Sequence, residues 1–175
     1  FFYVNLLRIP QTPSRHQIYG TAKHYALQKF FEAAKPNHKL LTGKFAENLK
    51  QHPLTPADYQ NLHQKGKASL IAYHNFHKNQ WNYNTVNEFK ISGVDFSVGK
   101  EKIRLTGKLD KLEFPNGSKR DKREVMVVDY KTKAPESRNW ILGKTKNSTG
   151  DYFRQLVFYK LLLDSMPVPR SFSVV

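Results

Sequence analysis

The chain has 175 residues, 39% of them hydrophobic, which is enough for one compact domain with a hydrophobic core. It contains no cysteine, so disulfides, thiolate catalysis and cysteine-bound zinc or iron–sulfur clusters are excluded. Twenty-nine lysines and arginines against 14 aspartates and glutamates give a net charge of +15, which predicts a polyanionic partner, nucleic acid first. The sequence shows no membrane-spanning apolar run and no signal-peptide pattern, so we expect an intracellular, cytoplasmic protein without a membrane partner.

The first half of the chain is predicted to be helical. Residues 20–34 show the spacing of an amphipathic helix and turn His24 toward the inside of the fold, where a histidine is usually half-buried and hydrogen-bonded. A polar connector over residues 36–53 contains a possible short helix over 44–51. A longer helix is predicted over 55–81, because its first residues, Thr-Pro-Ala-Asp, form a capping box with proline at the first helical position.

From Thr85 the hydrophobic pattern changes to the alternation that is typical of strands. A first strand is predicted over residues 86–92, followed by a second piece over 94–98, and a long strand is predicted over 102–114. The long strand alternates apolar and polar residues as far as Leu112, so we expect it to bend just past Asp110. A turn over 115–118 and a charged loop over 119–123 would connect this strand to the next one in an antiparallel hairpin.

The sheet is expected to be organised around residues 125–132, Val-Met-Val-Val-Asp-Tyr-Lys-Thr. The apolar run over 125–128 is typical of a strand that is buried on both faces. It ends in Asp129 and Lys131, which emerge side by side because alternate residues of a strand share a face. Two interpretations are open: an ion pair that caps the strand, or a metal-binding carboxylate beside a lysine that contacts a water or a phosphate.

One more helix and one more strand are predicted at the end of the chain. A polar loop over residues 134–150 precedes an amphipathic helix over 151–164, which two prolines end, and a strand begins over 171–175. The order of helix, three strands, helix and strand indicates a mixed α/β domain with a helical insertion over about 36–82. Apolar residues at both ends favour a fragment of a longer polypeptide.

Asp110, Asp129 and Lys131 are expected to meet in this sheet. The sequence does not fix the register of the hairpin, but pairing of the two strands can bring both carboxylates together. Two carboxylates in one site repel unless a cation lies between them, and hard oxygen ligands favour Mg²⁺ or Mn²⁺. A lysine beside them can orient a water or stabilise a phosphate. Phosphodiester hydrolysis is therefore the chemistry that this set would serve best.

Four short motifs follow one another along nearly the whole chain, from the opening residues to about Asp164. They are Gly20-x-x-x-His24, Gly107-Lys-Leu-Asp110, Val127-Val-Asp129-Tyr-Lys131 and Gln155-x-x-x-Tyr159. In this order they resemble the motifs of the PD-(D/E)xK nuclease superfamily, in its RecB-like branch. Each motif alone is weak, and the four in order make the resemblance specific.

The resemblance implies a restriction-endonuclease-like core, with a helix, a three-stranded antiparallel meander, a helix and a strand, in a single domain over residues 1–175. It also implies the metal ligands. Asp110 and Asp129 would bind the metal, His24 would be a further ligand or would position one, and the backbone carbonyl of Tyr130 would complete the shell.

The resemblance implies roles for four more side chains. Lys131 would be the catalytic lysine. Gln155 and Tyr159 would line the site, where they would contact the DNA strand or brace the ligands. Glu88 lies where relatives often carry a glutamate, and a purely structural role is at least as good an interpretation of it.

The function that the resemblance implies is a metal-dependent DNA nuclease, either an exonuclease or a single-strand endonuclease, that acts with a DNA helicase in repair or recombination. The cofactor would be Mg²⁺ or Mn²⁺, without an iron–sulfur cluster. Single-stranded DNA and a UvrD-, PcrA- or RecB-type helicase motor in the same polypeptide would be the partners. The alternatives are a catalytically silent module that binds DNA or docks partners, and an RNA-binding protein. The intact motif residues argue against the first, and the lack of an RNA-stacking motif argues against the second.

Overall fold

The computed structural model describes residues 12–115, 124–166 and 173–174. The chain forms two compact units, Phe1–Asn79 and Gln80–Val175. In the described residues the first unit is helical, and the second contains a four-stranded sheet and two helices. The mixed α/β class and the order of helix, three strands, helix and strand are confirmed. No helix of the described ranges is both long and apolar enough to cross a membrane.

The helical unit contains three helices, each of which begins at a side chain that accepts a hydrogen bond from the first turn. Ser14, Asn37 and Thr55 are these N-caps, and each satisfies a backbone N–H that has no partner inside the helix. The helices are α1 (Arg15–Glu32), α2 (His38–Leu49) and α3 (Pro56–His77). All three were located from the sequence, but α1 and α2 begin five and six residues earlier than expected, because Ser14 and Asn37 are the caps.

Gly66, in the middle of α3, makes room for a phenylalanine of α2. Phe45 is fully buried, and a Cβ added at Gly66 would lie 2.1 Å from its ring. The same ring packs edge-to-face with Tyr19 of α1, with 5.9 Å between the ring centroids. A glycine weakens a helix when it is considered alone. Here it allows α2 and α3 to pack closely around one aromatic side chain.

Gly66→Ala is therefore expected to destabilise the chain, although alanine is favoured over glycine in helices by about 1 kcal/mol. Overpacking of a filled core costs typically about 1–3 kcal/mol, so the free energy of unfolding in urea should fall. The matched control is Gly43→Ala in α2, where nothing lies within 4 Å of an added Cβ. That variant should be more stable by about 1 kcal/mol. If both variants gain stability, the close contact with Phe45 is not what requires Gly66.

The second unit is built on a sheet with the strand order β1-β2-β3-β4. The first three strands are antiparallel, and β3 and β4 are parallel. The elements in chain order are β1 (Thr85–Val98), β2 (Glu101–Glu113), β3 (Glu124–Val128), α4 (Arg138–Ile141), α5 (Asp151–Asp164) and β4 (Ser173–Val174). The strand that was expected over 86–92 and the second piece over 94–98 are thus one long strand.

A two-residue loop, Gly99 and Lys100, connects β1 to β2, and the first pair beside the loop is Val98 with Glu101. The register shifts between Ile91 and Val94, which places a bulge in β1. A bend was expected in β2, just past Asp110. The register of β2 with both of its neighbours is continuous there, so β2 has no bulge at that point.

The alternation of β2 ends at Leu112 because this part of the strand is covered on both faces. Lys111 is only 2% exposed and Leu112 is 0% exposed. Lys111 Nζ forms an ion pair of 2.5 Å with Glu113 Oε1. Burial lowers the pKa of Lys111, and the carboxylate of Glu113 opposes that shift. A buried charge is tolerated at this position because it is paired.

Two expectations about buried faces are wrong. In β3, Val125 is fully buried but Met126 is 45% exposed, so the strand is not covered on both faces along its length. In α5, the inner face is apolar as expected, but the outer face is not polar. Its exposed large apolar side chains are Phe153, Leu156, Val157 and Phe158.

Several sequence predictions fall wholly or partly outside the described residues. They are the turn over 115–118, the charged loop over 119–123, the prolines at 167 and 169, and most of the strand over 171–175. Of that last strand the structure describes Ser173 and Val174, which pair with β3.

Candidate active site

Glu88 and Asp110 face each other across β1 and β2. The two neighbours of Glu88 pair with the two neighbours of Asp110, and the carboxylate oxygens of Glu88 and Asp110 lie within 4.8 Å of each other. Glu88 has a φ of +52°, a left-handed conformation that is uncommon for a non-glycine residue. Such a conformation costs of order 1–3 kcal/mol and persists only where the surroundings hold it. Lys108 forms an ion pair with Glu88 Oε2 and is one such contact.

Asp129 lies on the other side of Asp110. The pair of Lys111 and Val128 ends the ladder between β2 and β3, so Asp110 and Asp129 occupy the next position along the two strands. The backbone N–H of Tyr130 donates a hydrogen bond of 2.8 Å to Asp110 Oδ2. This bond fixes the segment that follows β3 against β2. The carboxylates of Glu88, Asp110 and Asp129 therefore lie at corresponding positions on β1, on β2 and directly after β3.

Gln155 and Tyr159, one turn apart on α5, hold the carboxylate of Asp129. Both Gln155 Nε2 and the Tyr159 hydroxyl donate to Asp129 Oδ1, each at 3.1 Å. Gln155 Nε2 also lies 2.5 Å from the Tyr159 hydroxyl oxygen. Gln155 Oε1 accepts a bond of 2.7 Å from Lys131 Nζ. The observed contacts are therefore those of side chains that brace Asp129 and Lys131.

Gly107 brings α5 close enough to β2 for this bracing. A Cβ at Gly107 would lie 2.3 Å from Leu162 Cδ1, so only glycine permits the observed approach without movement of Leu162. Tyr159 is 7% exposed, and its burial and the neighbouring Asp129 carboxylate raise its pKa to about 12. The phenol therefore keeps its proton at neutral pH and acts as a hydrogen-bond donor.

Lys131 is in contact with both the site and solvent. Its Nζ lies 2.5 Å from Asp129 Oδ2, and its side chain is 36% exposed. It also lies over the ring of Tyr152, 5.0 Å from the centroid. The ion pair that one interpretation of Asp129 and Lys131 expected is thus present. Because the ammonium group is also exposed, a phosphate in solvent can reach it.

The sheet unit brings together most of the residues that the sequence singled out. Around Asp110 they are Asp129, Tyr130, Lys131, Gln155 and Tyr159. His24 lies on α1 in the helical unit, half-buried as expected.

Neither the position of Glu88 opposite Asp110 nor the proximity of Lys108 and Tyr152 to the site was expected from the sequence. A signal for Glu88 is present in the sequence. A two-residue loop at Gly99 and Lys100, followed by one bulge in β1, places Glu88 opposite Asp110.

A family model of the PD-(D/E)XK nuclease superfamily matches residues 1–172. The chain belongs to this superfamily. The PD-(D/E)XK match covers all four sequence motifs, and together with the sheet topology it confirms the restriction-endonuclease-like fold. Neither the comparison with curated proteins nor the comparison with solved structures gives a match.

PD-(D/E)XK nucleases use divalent metals, and the side chains of this site fit that requirement. Glu88 and Asp110 offer carboxylate oxygens within 4.8 Å of each other, which are hard ligands suited to Mg²⁺ or Mn²⁺. Because the chain has no cysteine, it cannot supply the thiolates of an iron–sulfur cluster. Membership of the superfamily and this pair of carboxylates together indicate a metal-dependent nuclease.

Proposed function

We propose that the chain is a Mg²⁺- or Mn²⁺-dependent deoxyribonuclease of the RecB-like branch. The observation that carries this proposal is the row of Glu88 on β1, Asp110 on β2 and Asp129 directly after β3, with Lys131 half-exposed beside it. The net charge of +15 supports a polyanionic substrate, and superfamily membership supports phosphodiester hydrolysis as the reaction. The products would be those of an exonuclease or a single-strand endonuclease.

The metal would be held by Asp110 and Asp129, with Glu88 as an additional carboxylate. The motif resemblance adds His24 of α1 as a further ligand or positioning group, and the carbonyl of Tyr130. A divalent ion in such a site activates water and neutralises the charge that develops on a phosphodiester.

The chain's own side chains would prepare the substrate for this reaction. Lys131 would donate a charge-assisted hydrogen bond to a non-bridging phosphate oxygen or to the attacking water. Gln155 and Tyr159 would keep the Asp129 carboxylate oriented through their hydrogen bonds, and a passing DNA strand would also contact them. Preorganised donors of this kind need no rearrangement when the charge on the phosphate develops.

The wider setting is also a proposal. Residues 1–175 would act as one nuclease domain, within a longer polypeptide that carries helicase motor domains. Single-stranded DNA would be the substrate, and DNA repair or recombination inside the cell would be the process. The RecB-like motif Gln155-x-x-x-Tyr159 supports the branch, and the absence of cysteine separates the chain from relatives that bind an iron–sulfur cluster.

Cleavage of end-labelled single-stranded and double-stranded DNA tests the proposal. The full chain should cut DNA in Mg²⁺ or Mn²⁺ and should not cut it in EDTA. Asp129→Asn should lower the rate by roughly 10²-fold or more, since it removes a charged ligand while the side chain keeps its size. The control is Asp164→Asn, the same change at the exposed C-terminal end of α5.

Three outcomes of this assay would contradict parts of the proposal. A wild-type chain that binds DNA but never cuts it would be a silent binding module. Cleavage of RNA in preference to DNA would overturn the substrate class. Equal cleavage rates for Asp129→Asn and Asp164→Asn would show that Asp129 is not a catalytic metal ligand.

A further inference from the structure

The described part of the helical unit carries an excess of positive charge that its own acids do not balance. Residues 12–79 contain ten lysines and arginines but three aspartates and glutamates. Each of the three acids is already in an ion pair: Arg15 with Asp58, Lys29 with Glu32, and Lys44 with Glu47. The remaining seven lysines have no carboxylate partner among the described residues: Lys23, Lys35, Lys39, Lys50, Lys65, Lys67 and Lys78.

Two of these seven lysines converge on one aromatic ring. The Nζ atoms of Lys23 and Lys65 lie 4.6 Å and 5.6 Å from the centroid of Tyr19. The ring is fixed, because it is 6% exposed, packs on Phe45 and shares a hydrogen bond of 3.3 Å with Ser69. Cation–π attraction holds both ammonium groups on the ring, although like charges repel. An anion bound to both would remove that repulsion.

Beside Tyr19 the surface is concave and rich in hydrogen-bond donors. A cavity of about 210 Å³ is lined by Arg15, His16, Tyr19, Asp58, Asn61, Leu62 and Lys65. A neighbouring cavity shares Asn61 and Lys65 and adds the exposed amide side chains of Gln60 and Gln64. The one acid in this lining, Asp58, already accepts hydrogen bonds from Arg15 and Thr55. The rest of the lining therefore favours an anion.

We propose that Lys23, Lys65 and Arg15, with the amides of Asn61 and Gln64, bind the phosphate backbone of a DNA strand around Tyr19. We call these residues and Tyr19 the α1–α3 basic surface. The ammonium groups would neutralise phosphates, and the amides would donate to phosphate oxygens or base edges. The choice of DNA as the polyanion rests on the proposed function, whereas the anion-binding chemistry does not.

The proposal predicts a local effect on binding, which fluorescence anisotropy with a labelled oligothymidylate in EDTA can measure without cleavage. Lys23→Gln/Lys65→Gln should weaken binding about tenfold and lower the slope of log K against log salt by roughly 1.4, since each phosphate contact on a single strand contributes about 0.7. The matched control is Lys35→Gln/Lys67→Gln, which removes the same charge from exposed lysines outside this surface. It should change both quantities far less. Lys23→Arg/Lys65→Arg should bind like the wild type.

Two results would overturn the proposal. If Lys23→Gln/Lys65→Gln and Lys35→Gln/Lys67→Gln lose the same DNA affinity, the binding depends on the overall charge of the chain and not on this surface. Binding to phosphatidylserine vesicles that depends on Lys23 and Lys65, without such dependence for the oligonucleotide, would assign the surface to lipid instead.

Cleavage in Mg²⁺ separates this inference from the proposed function. Lys23→Gln/Lys65→Gln should raise the DNA concentration for half-maximal cleavage about tenfold, whereas Lys35→Gln/Lys67→Gln should change it far less. A chain that binds through these lysines but never cuts DNA would contradict the proposed function and support the surface. A chain that cuts DNA, and whose double variant binds like the wild type, would contradict the surface and support the function.

Discussion

Asp110→Asn is expected to lower the metal-dependent cleavage of DNA by about 10³-fold or more. A bound metal supplies several kcal/mol of charge stabilisation in the transition state, and each 1.36 kcal/mol corresponds to a factor of ten in rate. Asp110 is the central carboxylate of the row, with Glu88 on β1 and Asp129 directly after β3. The asparagine oxygen can still accept the hydrogen bond from Tyr130 N–H. The variant should therefore keep its fold and lose a metal ligand.

The matched control for Asp110→Asn is Asp95→Asn, the same change at an exposed position of β1. Two measurements on each variant are needed, the single-turnover cleavage rate and the affinity for Mn²⁺ by calorimetry. Asp110→Asn should lose both rate and metal affinity, and Asp95→Asn should lose neither. A slow variant with unchanged Mn²⁺ affinity would show that Asp110 acts through Tyr130 and the segment after β3, and would contradict its role as a ligand.

The sequence predicted the chemistry of the site better than its geometry. Asp129 and Lys131 could be singled out because charged residues at the end of an apolar strand are costly without a ligand or a partner, and Asp110 because the predicted hairpin could bring it beside them. The register was open, because a strand pairing is fixed by its loop and by any bulge within it. The bulge lies in β1, where the sequence had suggested only a break between two strand pieces. For that reason the position of Glu88 opposite Asp110 became visible only in the structure.

Where the sheet is covered on both faces, the alternation of apolar and polar residues along a strand also failed to predict which side chains are buried. Lys111 breaks the pattern of β2 because it is buried and pairs with the partly exposed Glu113, and no local pattern reveals such a pairing. In α5, by contrast, Leu156 and Val157 are apolar but exposed, so their apolar character does not indicate a position in the core. Helix ends were misplaced by a few residues because one capping side chain, such as Ser14, decides them.

Lys131→Gln is expected to lower the maximal cleavage rate by roughly 10²–10³-fold, the effect of removing one preorganised donor to a developing negative charge. Affinity for DNA should change little, because one exposed ammonium group is a small part of a net charge of +15. Single-turnover rates at saturating DNA, compared with anisotropy in EDTA, measure the two effects separately. The matched control is Lys133→Gln, which removes the same charge from an exposed residue two positions further on.

The cleavage rate of the Lys131→Gln variant, measured together with its affinity for Mn²⁺, decides between the two interpretations of the pair that Lys131 forms with Asp129. The ammonium group lies 2.5 Å from Asp129 Oδ2 and competes with any cation for that carboxylate. Removal of Lys131 should therefore leave Mn²⁺ affinity equal or higher while the rate falls, since the two charges no longer neutralise each other. If Lys131 only capped the strand, the variant would lose at most about 1 kcal/mol of stability, as partly exposed ion pairs do, and would cut DNA at the rate of Lys133→Gln. A rate loss without a loss of metal affinity therefore favours a lysine that contacts the phosphate or the water.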